Sequence, residues 1–243
     1  MSQEILKDHL LRWQEKPVLR EIYNDFYRRI LENMVSGKTL EIGAGTGNLK
    51  EFFDFVISTD IISSAWVDCV CDAQIFPFQE KSFDNIIGVD VLHHIERPLD
   101  FFYEAQRILK NSGRIILLDP AITPLSWAFY HFLHEEPVIL SDKPLEAKTS
   151  FKERLPFDAN QAIPTLIFGK YRRMFEALFP SLKVIKKEYL SLWCYPLSGG
   201  FKKWSLIPSK GINSFLKFER KLEPFLGKLL GFRLMIVLEK KET

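Results

Sequence analysis

Apolar residues recur at helical spacing at the start of the chain and then give way to short apolar runs. Ile5, Leu6, His9, Leu10 and Trp13 fall on one face of a first helix, and Pro17 separates it from a second. The stripe of the second is Leu19, Ile22, Tyr23, Phe26, Tyr27, Ile30 and Leu31, and Ser36-Gly37 closes it with Gly37 as the expected cap. Short strands follow over 39–42, 55–60, 66–72, 85–89 and 114–118, with helices over 48–53 and 99–109 between them. Strands alternating with helices predict a parallel sheet covered on both faces. Beyond it, 121–160 is rich in proline with a short helical run over 127–133, and 162–179 reads as a helix stopped by Pro180. A strand over 183–193, a long excursion over 195–231 and an apolar strand over 232–238 complete the pattern.

Composition changes this picture little. Hydrophobic residues are 47% and charged residues 26%, an ordinary globular balance that fits one domain of 243 residues. No apolar run reaches the roughly 18 residues of a spanning helix, and the first residues lack a signal-peptide apolar region. Cys69, Cys71 and Cys194 form no disulfide or metal spacing, so free thiols and a cytoplasmic location are expected. Charge is uneven. Residues 1–150 hold 15 Lys and Arg against 23 Asp and Glu, whereas 151–243 hold 18 against 8. A basic C-terminal part suits an anionic surface or substrate.

The segment with the most chemical content is Leu40-Glu41-Ile42-Gly43-Ala44-Gly45-Thr46-Gly47-Asn48, a strand running through a glycine turn into a helix. Glycines let a backbone approach a ligand closely. The spacing is one residue shorter than the dinucleotide pattern, and Glu41 would be a poor neighbour for a pyrophosphate. The sequence here resembles the class I S-adenosylmethionine-dependent methyltransferase family, over roughly residues 37–118. Glu41 with Gly43, Ala44, Gly45 and Gly47 looks like the motif that wraps the methionine part of the cofactor. Asp60 matches the acidic residue that accepts the ribose hydroxyls, with Ile61 beside the adenine, and Asp72-Ala73 the pair bordering the adenine amino group. Residues 82–95, including Val89, resemble the fourth motif, and 109–114 the loop before strand five. The resemblance implies a Rossmann-like α/β fold: a mostly parallel seven-stranded sheet, helices on both faces and an antiparallel last strand. It implies S-adenosyl-L-methionine as cofactor. The expected organisation is a helical lid over 1–37, a cofactor-binding core over 38–120, and an acceptor-side segment over 121–243 with an insertion at 195–231.

Candidate catalytic chemistry is sparse. His94 of the His93-His94 pair is the candidate general base, although methyl transfer needs mainly alignment and proximity. Tyr23, Tyr27, His131, His134 and Glu136 are candidates for the acceptor side. His131, His134 and Glu135 imitate a metal-ligand spacing without fitting a known signature, so no metal is expected. Phe215, Phe218, Leu222, Phe225 and Leu229 recur at spacings of three and four beside Lys217, Arg220, Lys221 and Lys228. Such a face serves either an interfacial helix or ordinary core packing, and Pro224 should break it near Glu223. The expected acceptor is a small molecule, glycan or lipid, with peripheral membrane contact as a candidate and no nucleic-acid partner. A nicotinamide-dependent oxidoreductase and a non-catalytic adenosylmethionine-binding subunit are the alternatives.

Overall fold

The computed structural model describes residues 2–147 and 157–242. The remainder of the expected 121–160 segment, 148–156, lies outside the described residues. Two helices, α1 (Ser2–Glu15) and α2 (Pro17–Leu31), precede β1 (Thr39–Ile42), α3 (Asn48–Phe52), β2 (Val56–Asp60), β3 (Cys69–Val70) and β4 (Phe83–Val89). A single 3-10 turn, Leu92–His94, leads to α4 (Pro98–Ile108), β5 (Leu109–Pro120) and α5 (Pro124–Leu133). Then follow α6 (Ile163–Thr165), a π-turn at Leu166–Lys170, α7 (Arg172–Leu178), β6 (Leu182–Leu190), α8 (Cys194–Ser198), α9 (Ile212–Leu230) and β7 (Arg233–Lys240).

The seven strands form one sheet in the order β3-β2-β1-β4-β5-β7-β6. Neighbours from β3 to β5 pair parallel, and β7 runs antiparallel between β5 and β6. The central strands are nearly continuous apolar runs because both faces are covered. One face packs Ile86, Ile115 and Ile236 against Phe101, Phe102 and Phe175. The other packs Ile87, Ile116 and Val237 against the α2 stripe, including Leu19, Ile22 and Phe26. This is the expected Rossmann-like sheet with its antiparallel last strand.

Several local expectations are corrected. The strand expected over 66–72 is only Cys69–Val70. Trp66 leaves it to pack on the glycine loop, where its Nε1 donates to the Gly45 carbonyl at 2.6 Å. Gly37 is not a helix cap, because α2 ends at Leu31. Its φ of +138° instead lets the chain pass Asp84, which a β-carbon would strike. The helix expected over 162–179 is interrupted by the π-turn.

The largest surprise is α9, which runs unbroken from Ile212 to Leu230 through Pro224. Pro224 lies on the solvent side, where the Arg220 carbonyl it leaves unpaired can be hydrated. The face turned inward is Ile212, Leu216, Glu219, Glu223 and Gly227, not the aromatic stripe. Two carboxylates choose that face. Glu219 accepts the Trp193 and Cys194 amide N–H groups at 2.6 and 2.9 Å. Glu223 accepts the Ser191 amide at 3.0 Å and pairs with the Arg29 guanidinium at 2.6 Å. Asp25 holds the Arg29 Nε at 2.8 Å. Phe218 and Phe225 are left 58% and 82% exposed.

Because Arg29 is buried, removing its principal partner strands a charge. Glu223→Ala should destabilise the protein by about 3–5 kcal/mol, read as a lower denaturation midpoint. The triple replacement Arg29→Met, Glu223→Leu and Asp25→Asn should recover part of that loss, since it removes the buried guanidinium together with both of its carboxylate partners.

Candidate active site

The glycine loop and the carboxyl ends of β1, β2, β4 and β5 border one cleft of about 1390 Å³. Single-ligand pockets occupy about 300–1,000 Å³, so this one has room for a cofactor and an acceptor together. Open parallel sheets place ligands at these strand ends.

The cofactor side is built by β1, β2 and the turns that follow them. Gly43 has φ +62°, and a β-carbon there would sit 2.4 Å from the Val91 side chain. Gly45 has φ +53°, and its missing β-carbon would meet only the Gly43 carbonyl at 3.9 Å, so the loop backbone is bare toward the cleft. Gly47 lies outside the cleft lining and gives way to the Trp66 ring instead. Glu41 is 5% exposed at the cleft floor and accepts the Ser58 hydroxyl at 2.7 Å. Burial pushes its carboxyl up to about 7, and it forms no ion pair among the described residues. A cationic ligand group would supply what it lacks. Asp60 accepts the Gly45 and Ile62 amides, both at 2.8 Å, so it shapes the loop while bordering the cleft. Asp72 is held by the Gln74 backbone and side-chain amides. Ile61, Ala73, Ala44 and Val89 complete this wall. A bare glycine backbone, a buried unpaired carboxylate and two strand-end aspartates fit S-adenosylmethionine, with its sulfonium, amino group and ribose.

Tyr23 and Tyr27, expected on the acceptor side, are buried within the α2 stripe and still border the cleft. The Tyr23 hydroxyl donates to Asp90 at 2.8 Å. Asp90 also takes the Arg233 guanidinium at 2.7 Å, and that guanidinium lies 4.1 Å from the centre of the Tyr195 ring. Asp90, Tyr195 and Arg233 are not among the sequence-predicted site residues, because residues so far apart share no spacing.

His93 and His94 both border the cleft, and burial lowers both to about 3, with Arg233 adding to the effect on His93 and His93 to that on His94. The His93 Nδ1 lies 2.8 Å from Asp119, and its Nε2 faces Glu136 at 3.6 Å. Glu136 is pushed up to about 7 by burial and is hydrogen-bonded by the Gln161 amide. His134 joins the lining, its Nδ1 accepting the Glu136 amide at 3.2 Å. His131 does not. It stacks on Trp127 at 5.1 Å on the exposed side of α5, outside the cleft lining.

Lys16 fixes the far wall. Its ammonium donates to the carbonyls of Ser198, Gly200, Lys202 and Trp204 at 2.6–3.0 Å, gathering the loop after α8 around one charge. Gly199, Gly200, Phe201 and Trp204 of that loop border the cleft.

Comparison with known proteins agrees with this geometry. Residues 40–117 match a protein family described as a methyltransferase domain. The chain is 29% identical over 104 residues to the uncharacterized protein MJ1123 of Methanocaldococcus jannaschii, a match covering 40% of this chain and 51% of that protein. A S-adenosylmethionine-dependent methyltransferase from Archaeoglobus fulgidus superposes with a TM-score of 0.56 at 16% identity, over 91% of this chain and 94% of that one. The [4+2]-cyclase SpnF superposes with a TM-score of 0.53 at 12% identity, over 90% and 81%. Shared fold alone therefore does not fix the reaction, and the motif-bearing stretch from β1 to β5 carries the assignment. Residues 40–117 thus match a methyltransferase domain, and the seven-stranded sheet that holds them shares the fold of a S-adenosylmethionine-dependent methyltransferase.

Proposed function

We propose that the protein transfers a methyl group from S-adenosylmethionine to an amphiphilic acceptor, a lipid-type molecule taken from an anionic membrane surface. The observation that carries this reading is the rim of the cleft. Leu133 and Leu206 border the cleft and are 67% and 73% exposed, so its apolar wall continues onto the outer surface. Beside them α5 and α9 pack together, exposing Phe132 from one and Phe225 and Leu229 from the other. Lys217, Lys221 and Lys228 stand exposed along α9, whereas Arg220 is engaged by Asp25 and Glu32. Exposed aromatic and leucine side chains interleaved with lysines suit a helix lying in a lipid interface. No helix among the described residues is long and apolar enough to cross a membrane.

Within the cleft, Glu41 would neighbour the cationic end of the cofactor, Asp60 its ribose, and Asp72 with Ala73 its adenine. When bound, the cofactor supplies an electrophilic methyl group on sulfur. The chain contributes alignment, with Tyr23, Tyr27 and Tyr195 excluding water from the reacting centre. His94 is given a positioning role here. A histidine held near 3 is a weak base at neutral pH, since proton transfer is best served by a group that titrates near the working pH.

Three outcomes test this reading. Asp60→Ala should weaken S-adenosylmethionine binding by roughly tenfold or more, as loss of charge-assisted hydrogen bonds requires. Calorimetry checks it, and undiminished affinity would remove Asp60 from the site. Glu41 is neutral below about 7 and charged above it. Cofactor affinity should therefore rise as pH increases from 6 to 8, by up to about tenfold per unit below the titration, and Glu41→Gln should flatten the profile. Finally, the protein should co-sediment with anionic phosphatidylglycerol vesicles at low salt and dissociate as salt screens the lysines. Replacing Phe218 and Phe225 by Ser, or the three α9 lysines by Glu, should abolish it. An absence of sedimentation at low salt would remove the membrane from the proposal.

A further inference from the structure

The acceptor end of the cleft contains a donor set that methyl transfer itself does not require. His93, His94 and Glu136 each offer a ligating atom, and these atoms lie within 4.8 Å of one another. Two segments 40 residues apart in sequence bring them together: the 3-10 turn after β4 and the chain after α5.

The hydrogen bonds decide which atoms are available. Asp119, at the end of β5 and 1% exposed, accepts the His93 amide at 3.2 Å and lies 2.8 Å from His93 Nδ1. The proton of His93 therefore sits on Nδ1, and Nε2 presents a lone pair. The His94 Nδ1 lies 3.3 Å from the Asp158 carbonyl oxygen. A carbonyl can only accept, so this nitrogen donates and His94 Nε2 is likewise a lone pair. Glu136 is steadied by the Gln161 amide. Metal-binding histidines characteristically donate their second nitrogen to a carboxylate or a backbone carbonyl in this way.

The spacing favours an ion over a proton. His93 Nε2 and a Glu136 oxygen face each other at 3.6 Å, beyond hydrogen-bond distance. Two ligand atoms on a tetrahedral zinc-sized ion, each at about 2.1 Å from it, lie about 3.4 Å apart. Two imidazoles and one carboxylate disfavour magnesium and calcium, which prefer all-oxygen shells, and favour first-row transition ions.

We propose that His93, His94 and Glu136 bind one divalent transition-metal ion, zinc or a similar ion, with an open position toward the cleft where an acceptor oxygen can coordinate. Asp119 is a positioning residue that holds the His93 ring. The trio replaces the one suggested by sequence spacing, His131, His134 and Glu135. His131 faces away, and Glu135 reaches Lys202 instead.

The test uses the full chain after chelator treatment, without cofactor or acceptor, so it is separate from the membrane and acceptor proposal. Titration with Co²⁺ should give the visible absorption of a four- or five-coordinate site at one equivalent, and Zn²⁺ should displace it. His94→Ala and Glu136→Gln should each weaken Zn²⁺ binding at least 100-fold. Asp119→Asn should weaken it by about 10–100-fold, the usual effect of losing an outer partner. Circular dichroism and the thermal denaturation midpoint report that each variant is folded. A flat Co²⁺ titration would overturn the proposal, and so would binding that survives both ligand variants.

Discussion

The wall of the cleft away from the glycine loop depends on one ion pair, the buried Arg233 with the partly buried Asp90. Arg233 opens β7 and is 3% exposed, a burial that costs several kcal/mol for an unpaired charge. Asp90 repays that cost from the end of β4, in a left-handed backbone position with φ +54°. Two aromatic residues from outside the sheet then join the pair. Tyr23 of α2 donates its hydroxyl to Asp90, and Tyr195 of α8 lies under the guanidinium. One charge pair thus fixes the N-terminal helices and the loop before the last strand against the ends of two non-adjacent strands.

The same device recurs around the cleft. Lys16 collects four carbonyl oxygens and so shapes the loop after α8. Arg29, with Glu223 and Asp25, holds α9 to α2. Glu219 caps the amides that open α8. The additions to the plain fold are thus attached by buried polar groups with defined partners as well as by apolar contact. Removing a partner is costly, and defined geometry follows from directional bonds. That attachment leaves the aromatic side of α9 free, which is why a stripe that suggests core packing in the sequence ends up largely on the surface.

Legibility in the sequence followed the range of the interaction. Periodicity and glycine spacing are local, so they suffice to place α2, β1, β2, β4 and the loop from Gly43 to Gly47, and Glu41, Asp60, Ile61, Asp72 and Ala73 all line the cleft. The third strand was overextended because Trp66 spends its side chain on the Gly45 carbonyl, a contact 21 residues away. The sequence predicts a break near Glu223 before Pro224, but exposure of that side of α9 lets the helix continue.

By itself the sequence determined the class of sheet, the glycine loop and strand-end carboxylates that line one end of the cleft, and the likeness to S-adenosylmethionine-dependent methyltransferases. Those features follow from backbone conformation and strand-end position, which neighbouring residues dictate. Only the tertiary structure decided which face of α9 is buried, that His131 lies outside the cleft, and that His93, His94 and Glu136 converge. Those outcomes depend on where buried charges find partners across 40 to nearly 200 residues of chain, as between Arg29 and Glu223, which are 194 residues apart. No periodicity in a single sequence encodes a pairing over that distance.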